Sequence, residues 1–466
     1  MLTRRAALWL VVVALGLGGT TAHVPAQTAP PPTETITLDE ARAVARQALF
    51  AGRFELAREI AMGLLQADPE DAYAYGVLAA AHSRLNDPRL ARAAARLSYK
   101  YSTTPQDKFG AARTAASISY QQERPTVSQA WLRVAATHAD TPSQDKLLAQ
   151  DYRKVRAANP FSFNINLSVA PSNNVNNGTD NVLEVNNGIP TQGIFRNSSR
   201  ALSGTVGTLD VRLQYRLRAT DLSRTTATGR IYTRRVELSD SAEALAPSLS
   251  DGDFASTYVE TGLNHQFALG KPGNSVTLSG ALGASWYGGE RNYDFAKIGL
   301  ARSVRLSPNS QFSLRGGAEQ RQSTVSDLRD SHVYTLGAQY SQKLDSGARV
   351  NLGLTLQDVN GDFVNADFQT ASLRASYTFG KQIGPAQITA GVTLGYTDYD
   401  QYRLVSPVAG GRQDTSVYGD VSLFFADYDF AGFAPTIRLR SGQRSSNVNR
   451  FDISETTISL GIQSKF

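Results

Sequence analysis

Chemistry by side chains needs a base, a nucleophile or a cluster of metal ligands, and this chain supplies few of them. It contains no cysteine, which removes thiol nucleophiles, disulfides and cysteine metal sites together. His265 and His332 fall on the apolar register of alternating segments, away from any serine and carboxylate that would complete a Ser-His-Asp site. His82 and His138 stand in helical sequence without carboxylate or cysteine partners at metal-ligand spacing. No His-x-x-x-His pair and no glycine-rich phosphate loop after a strand is present. The residues predict no enzyme, no metal and no cofactor.

What the sequence places with regularity is arginine. Arg212, Arg216, Arg315, Arg374, Arg438 and Arg440 alternate with apolar residues, so they share the polar face of extended segments. They are candidates to pair with Asp210, Glu319 and Asp420 or to bias an enclosed space toward anions. The formal charge of +6 is modest, and these arginines are scattered without interleaved aromatics, so no nucleic-acid partner is expected.

The segments that carry them are strands. Phe161, Phe163, Ile165, Leu167 and Val169 alternate with Ser162, Asn164, Asn166 and Ser168, and similar stripes recur to Ile458, Leu460 and Ile462. Fourteen such segments can be counted, with a weaker one around Thr226 to Val236. Segments of about ten residues alternating apolar and polar, even in number, predict an antiparallel transmembrane β-barrel over 161–466. Tight connections such as Ser307-Pro308-Asn309 and Asp345-Ser346-Gly347 alternate with long ones at 173–200, 237–253 and 400–412. The tight turns then mark the periplasmic end. Tyr215, Tyr340, Tyr377, Phe379, Tyr396 and Phe425 suit an interfacial girdle. Arg302 falls on the lipid register, where mid-membrane arginine costs about 2–4 kcal/mol. It must lie near an interface, or the register slips there. The terminal Phe466 resembles the signal read by the barrel-assembly machinery of bacterial outer membranes.

Arg4 and Arg5, an apolar run from Ala6 to Leu17 and small residues to Ala22 read as a cleaved signal peptide over 1–26. A Pro-rich leader follows over 27–37, with Pro30, Pro31 and Pro32. From 38 to 158 the apolar spacing is helical and repeats at 34 residues: Ala57 and Ala61 match Ala91 and Ala95, and Gly52 matches Asn86. A third, degenerate unit is read at Ala130 and Pro142, and a last helix over about 143–157 caps the array. Period and helix-turn-helix unit resemble the tetratricopeptide repeat, and stacked pairs of this kind expose a concave binding surface.

Directly after the first strand comes Ser172-Asn173-Asn174-Val175-Asn176-Asn177-Gly178. With Asn159-Pro160-Phe161, the signal peptide, the periplasmic repeats and the barrel, this run resembles the surface lipoprotein assembly modulator family of Gram-negative outer-membrane proteins. The resemblance implies a barrel that assists client proteins or lipoproteins to the cell surface, with the helical repeats as periplasmic adaptor. It makes Ser172, Asn173, Asn174, Asn176 and Asn177 a candidate client-contact loop, with a well-folded turn as the alternative. The implied partners are the outer-membrane bilayer, the assembly machinery and the client. The rival is an exopolysaccharide exporter, whose helical array is usually longer than the three units read here.

Overall fold

The computed structural model describes residues 36–186, 189–194, 196–404 and 406–464. The expected signal peptide, the leader up to residue 35 and Phe466 lie outside the described residues. Two compact units meet in sequence at Asn159 and Pro160.

The first unit is helical throughout: α1 Leu38–Phe50, α2 Phe54–Ala67, α3 Ala72–Arg84, α4 Pro88–Tyr101, α5 Pro105–Gln121, α6 Pro125–Ala136 and α7 Pro142–Ala158. Proline at the first turn opens α4 to α7, where a missing N–H costs nothing. Thr37 with Glu40, and Thr141 with Gln144, close capping boxes at the starts of α1 and α7. The turn within each pair needs a left-handed residue, supplied by Gly52, Asn86 and Glu123 at φ of 73°, 63° and 56°. Ala57 and Ala91 are fully buried, so neighbouring helix backbones approach closely. In the third unit that place belongs to Ser128, also fully buried, whose hydroxyl donates to the Ala116 carbonyl at 2.8 Å. Ala130 is exposed, because the inserted residues shift the match by less than the sequence comparison assumed. Helix α7 caps the stack through Leu148, Tyr152 and Val155, which pack with Phe109 and Leu132. The fold class is therefore as the sequence predicts: tetratricopeptide-like helical repeats, then a β-barrel.

The second unit is a closed fourteen-stranded antiparallel barrel. Its strands are β1 Phe161–Ser172, β4 Gly204–Ala219, β5 Ser223–Leu238, β6 Ser256–Ala268, β7 Ser275–Tyr287, β8 Glu290–Ser307 and β9 Ser310–Ser323. They continue as β10 Ser331–Lys343, β11 Arg349–Gly361, β12 Phe368–Thr378, β13 Gln387–Tyr399, β14 Arg412–Phe424, β15 Phe433–Ser446 and β16 Ile453–Ser464. The short β2 Leu183–Asn186 and β3 Ile189–Ile194 form a hairpin inside the first long loop. The weak segment is the full strand β5. Its outward positions are Thr225, Ala227, Gly229, Ile231 and Thr233, too small or polar to advertise an apolar face.

Register sorts the two faces. Asn164, Arg212, Arg230 and Glu260 lie opposite one another across β1, β4, β5 and β6, on the inner wall. On the outer wall Leu263, Leu282 and Ile298 are 54%, 62% and 70% exposed. A contiguous belt of exposed aliphatic residues marks a surface solvated by lipid, not water. Arg302 keeps its outward place between Val276 and Leu314, so the register does not slip. It lies five residues from the tight-turn end of β8, half-buried, and its Nη1 is buried without a hydrogen-bond partner among the described residues, so the outward placement keeps the cost that the sequence reading attached to it. His265 also faces outward, against Phe267 and the Thr225 hydroxyl.

One end of the barrel carries the turns 220–222, 269–274, 308–309, 344–348, 379–386 and 425–432, and β1 starts there. The other end carries loops 173–203, 239–255, 324–330, 362–367, 400–411 and 447–452. The three longest connections, 173–203, 239–255 and 400–411, are all at the loop end, but the lengths otherwise overlap: 379–386 and 425–432 exceed 324–330, 362–367 and 447–452, and β7 and β8 join at the loop end through Gly288-Gly289 alone. Both glycines take positive φ, 61° and 83°, as a two-residue hairpin turn requires.

In the helical unit the His138 Nε2 lies 2.9 Å from the Tyr99 hydroxyl. Burial, reinforced by Lys108, holds this imidazole below its usual range, so the folded state prefers it neutral. Its contribution to stability is complete above the unfolded value of about 6.5 and is lost as pH falls from there through the folded value. Urea titrations of the 36–159 fragment are expected to show a midpoint that falls between pH 7 and pH 5, with a shallower fall for His138→Gln. Equal pH dependence in the two proteins would contradict this placement of the imidazole.

Candidate functional site

The inner wall gathers the residues with chemical character, as the alternation predicts. On one side Asp210 accepts from Arg212 at 2.9 Å and from Arg230 at 2.9 Å. Arg230 also lies over the rings of Tyr232 and Tyr258. Next to it Glu260 bridges the Tyr258 hydroxyl and the Lys297 ammonium, and Glu319 pairs with Arg321 at 2.6 Å. On the other side Asp420 accepts from Arg374 at 2.7 Å and from Arg438 at 3.1 Å. Arg440 stacks on Tyr418 with its guanidinium carbon 4.3 Å from the ring centroid. Arg315 is exposed on the inner wall opposite Gly337. Arg216 lines a polar cavity of about 550 Å³ at the tight-turn end, with Thr220, Arg224, Gln266, Asn274 and Gln311.

The two ends of this lumen differ. At the loop end the inward residues Val236, Leu238, Phe295, Val333, Val359 and Ile453 are buried. The long loops cover two of these: Val175, Leu202, Ala242, Ala246 and Phe254 pack with Val236 and Leu238 into one apolar cluster. Arg234 ties that cluster together, donating to the Val175 and Phe254 carbonyls at 2.8 Å each. Across the mouth Arg412 is buried against Tyr399, Tyr402 and Phe451, with its guanidinium donating to Asp414 at 3.0 Å. At the tight-turn end the inward Asn164, Asn166, Arg212, Gln214, Arg315 and Gln339 are all exposed. The lumen is thus polar and exposed toward the tight turns and lined by packed loop residues at the other end.

The asparagine run belongs to the closure. Ser172 accepts from the Asn174 N–H, and Asn174 donates to the Gly178 carbonyl at 2.7 Å while accepting from its N–H at 2.8 Å. Asn176 donates to the Arg200 carbonyl at 2.7 Å and accepts from Leu202 N–H at 2.9 Å, which fixes the return limb of the loop. Asn177 takes the left-handed turn position at φ 52°. Asn173 reaches across the seam between first and last strands, donating to the Ser454 carbonyl and accepting from Thr456 N–H, both at 3.2 Å. The amides of Asn173, Asn174 and Asn176 are thus turned onto the chain's own backbone.

Sequence reading missed Arg230, Arg234, Lys297 and Arg412. Simple alternation extended through β5 and β8 would have placed the first three on the inner wall. Arg412 was read as a loop residue, and its aromatic partners come from three places: Tyr399 at the end of the paired strand, Tyr402 in the adjoining loop and Phe451 in another loop. Among the described residues no three His, Asp or Glu side chains gather as a metal ion would require.

Removing the Asn176 amide leaves partly buried backbone groups of loop 173–203 without partners, at a cost of about 1–3 kcal/mol. Asn173→Ala with Asn176→Ala is expected to lower the temperature at which the barrel unfolds on gels while leaving it inserted. An unchanged transition would contradict the role of these residues as a clasp.

No family model matches the chain, and no curated protein matches it. Among solved structures it is similar to OccAB4 of Acinetobacter baumannii, at 10% identity over 66% of this chain and 98% of that one, TM-score 0.35. It is similar to the COG4313 outer membrane channel from Pseudomonas putida F1, at 14% identity over 65% of this chain and 94% of that one, TM-score 0.32. The helical part is similar to the TPR2B domain of yeast Sti1, at 20% identity over 26% of this chain and 96% of that one, TM-score 0.24. Each is a likeness of architecture only.

Proposed function

We propose that this protein is an outer-membrane barrel that helps client proteins or lipoproteins reach the cell surface, with its helical repeats in the periplasm as the adaptor for client or partner. The observation that carries this reading is the asymmetry of the lumen. A passive diffusion channel keeps an aqueous path from end to end, whereas the packing of the Val175–Phe254 cluster and of the Arg412 cage at the loop end supports a barrel shut on that side. The polar half opens at the tight-turn end, which by the usual difference in loop lengths faces the periplasm. A cup open to the periplasm and shut toward the outside suits a cargo that is first received and then released by a change in the loops.

The helical unit fits the adaptor role through its form. Three stacked helix pairs with a capped end belong to the kind of array that presents a concave binding surface. No catalytic step is part of this reading. Biogenesis would depend on the barrel-assembly machinery reading the terminal strand, with Phe466 as the last residue of its signal.

Deletion of residues 38–158 is expected to leave the barrel inserted and heat-modifiable while one or a few proteins disappear from the cell surface. Surface proteomics of the deletion strain reads this directly. An unchanged surface proteome would contradict the proposal, and loss of exopolysaccharide in its place would support sugar export.

A further inference from the structure

The charges of the lumen are not evenly presented. In each inner-wall pair the base is more exposed than the acid: Arg212 at 56% against Asp210 at 15%, and Arg438 at 48% against Asp420 at 6%. Arg374 at 40% also lies over Asp420. The carboxylates form a lower layer that holds the guanidinium groups upright, and water in the cup meets the guanidiniums. Arg315 and Arg440 add to this layer without an ion-pair partner among the described residues. In a narrow polar cavity with low-dielectric walls such a layer focuses a positive potential.

We propose that the open half of the lumen receives an acidic, extended segment of the client polypeptide, entering from the tight-turn end. This rests on the client-display reading above and names the chemistry of the client. Guanidinium groups bind carboxylates through paired, charge-assisted hydrogen bonds. The wall between them is made of Asn164, Asn166, Gln214, Gln311 and Gln339, whose amides can both donate to and accept from a passing peptide backbone. The same half is poor in the aromatic faces on which sugar rings stack. Tyr232, Tyr258 and Tyr293 sit higher, and Tyr418 is covered by Arg440. The observations therefore favour a polypeptide over an anionic glycan. Packing at the loop end favours a holding position over a through path.

The test uses the purified full-length protein in lipid nanodiscs and a fluorescent peptide of alternating Glu and Ser. Its Gln-for-Glu analogue and polygalacturonate serve as controls. The wild type is expected to bind the acidic peptide, with affinity falling as salt rises, and not to bind the Gln analogue. Joint replacement of Arg212→Gln, Arg315→Gln, Arg438→Gln and Arg440→Gln is expected to weaken binding by about tenfold or more. The matching Arg→Lys set should retain most of it. Heat-modifiability on gels reports whether each variant still forms the barrel. If the fourfold variant does not, Arg315→Gln with Arg440→Gln, which breaks no ion pair, carries the test.

Equal binding by wild type and Gln variants, or equal binding of Glu and Gln peptides, would overturn the inference. Stronger binding of polygalacturonate than of the acidic peptide would overturn the choice of polypeptide. Loss of surface proteins on deleting 38–158, with full display by the arginine variants, would defeat the lumen site alone. An unchanged surface proteome in the deletion strain would defeat the display reading, whatever the peptide does.

Discussion

A sheet in hydrocarbon has no water to satisfy its backbone, so every N–H and C=O on its edges must find a partner within the protein. The rest of the barrel follows from that constraint. Thirteen of the junctions join strands consecutive around the wall, but the fourteenth must join β1 to β16 from opposite ends of the unit. That seam pairs through Leu167, Ser168, Val169 and Ser172, and it skips Pro171, which has no N–H to give. Just beyond, Asn173 uses its side-chain amide as a substitute backbone against Ser454 and Thr456, and Asp180 accepts from Ser454 N–H at 2.6 Å. The asparagine run thus occurs where the closing strand pair needs help.

Closure also dictates the contents of the interior. Once the aliphatic residues face lipid, strict alternation turns every second residue inward. Fourteen strands enclose more space than short serine and threonine side chains fill. Near the tight turns the space is left to water and to arginines held over buried carboxylates. Near the loops it is filled by chain that folds back: Val175 and Leu202 from one loop, Phe254 from a second, Tyr402 and Phe451 from two others. The same alternation therefore yields a wet half and a packed half.

Much of this was legible in the residues. Strand number and the inner placement of Arg212, Arg374 and Arg438 follow from period-two alternation, which any reader can extend along the chain, whereas alternation offers Asp210, Glu319 and Asp420 as partners without fixing which arginine meets which, and Glu319 meets Arg321. The left-handed turns at Gly52 and Asn86 follow from the repeat. Other features were not legible, for physical reasons. Ser128 replaces the expected alanine because an insertion of uncertain length precedes it. The role of the asparagine run depends on Ser454 and Thr456, far away in sequence and near only once the barrel has closed. The cap at the loop end is assembled from several loops, whose inward fold is a matter of tertiary packing that no local pattern records.

A lumen shut at its loop end is what the functional account requires, and a chain without cysteine allows a direct measurement. A single cysteine placed by Gln339→Cys lies on the exposed inner wall of the open half. A charged, membrane-impermeant maleimide added to intact cells is expected to leave it unlabelled, and to label it once the outer membrane is permeabilised and the periplasmic side is reached. Rapid labelling in intact cells would show a path open from the loop end and would contradict the account.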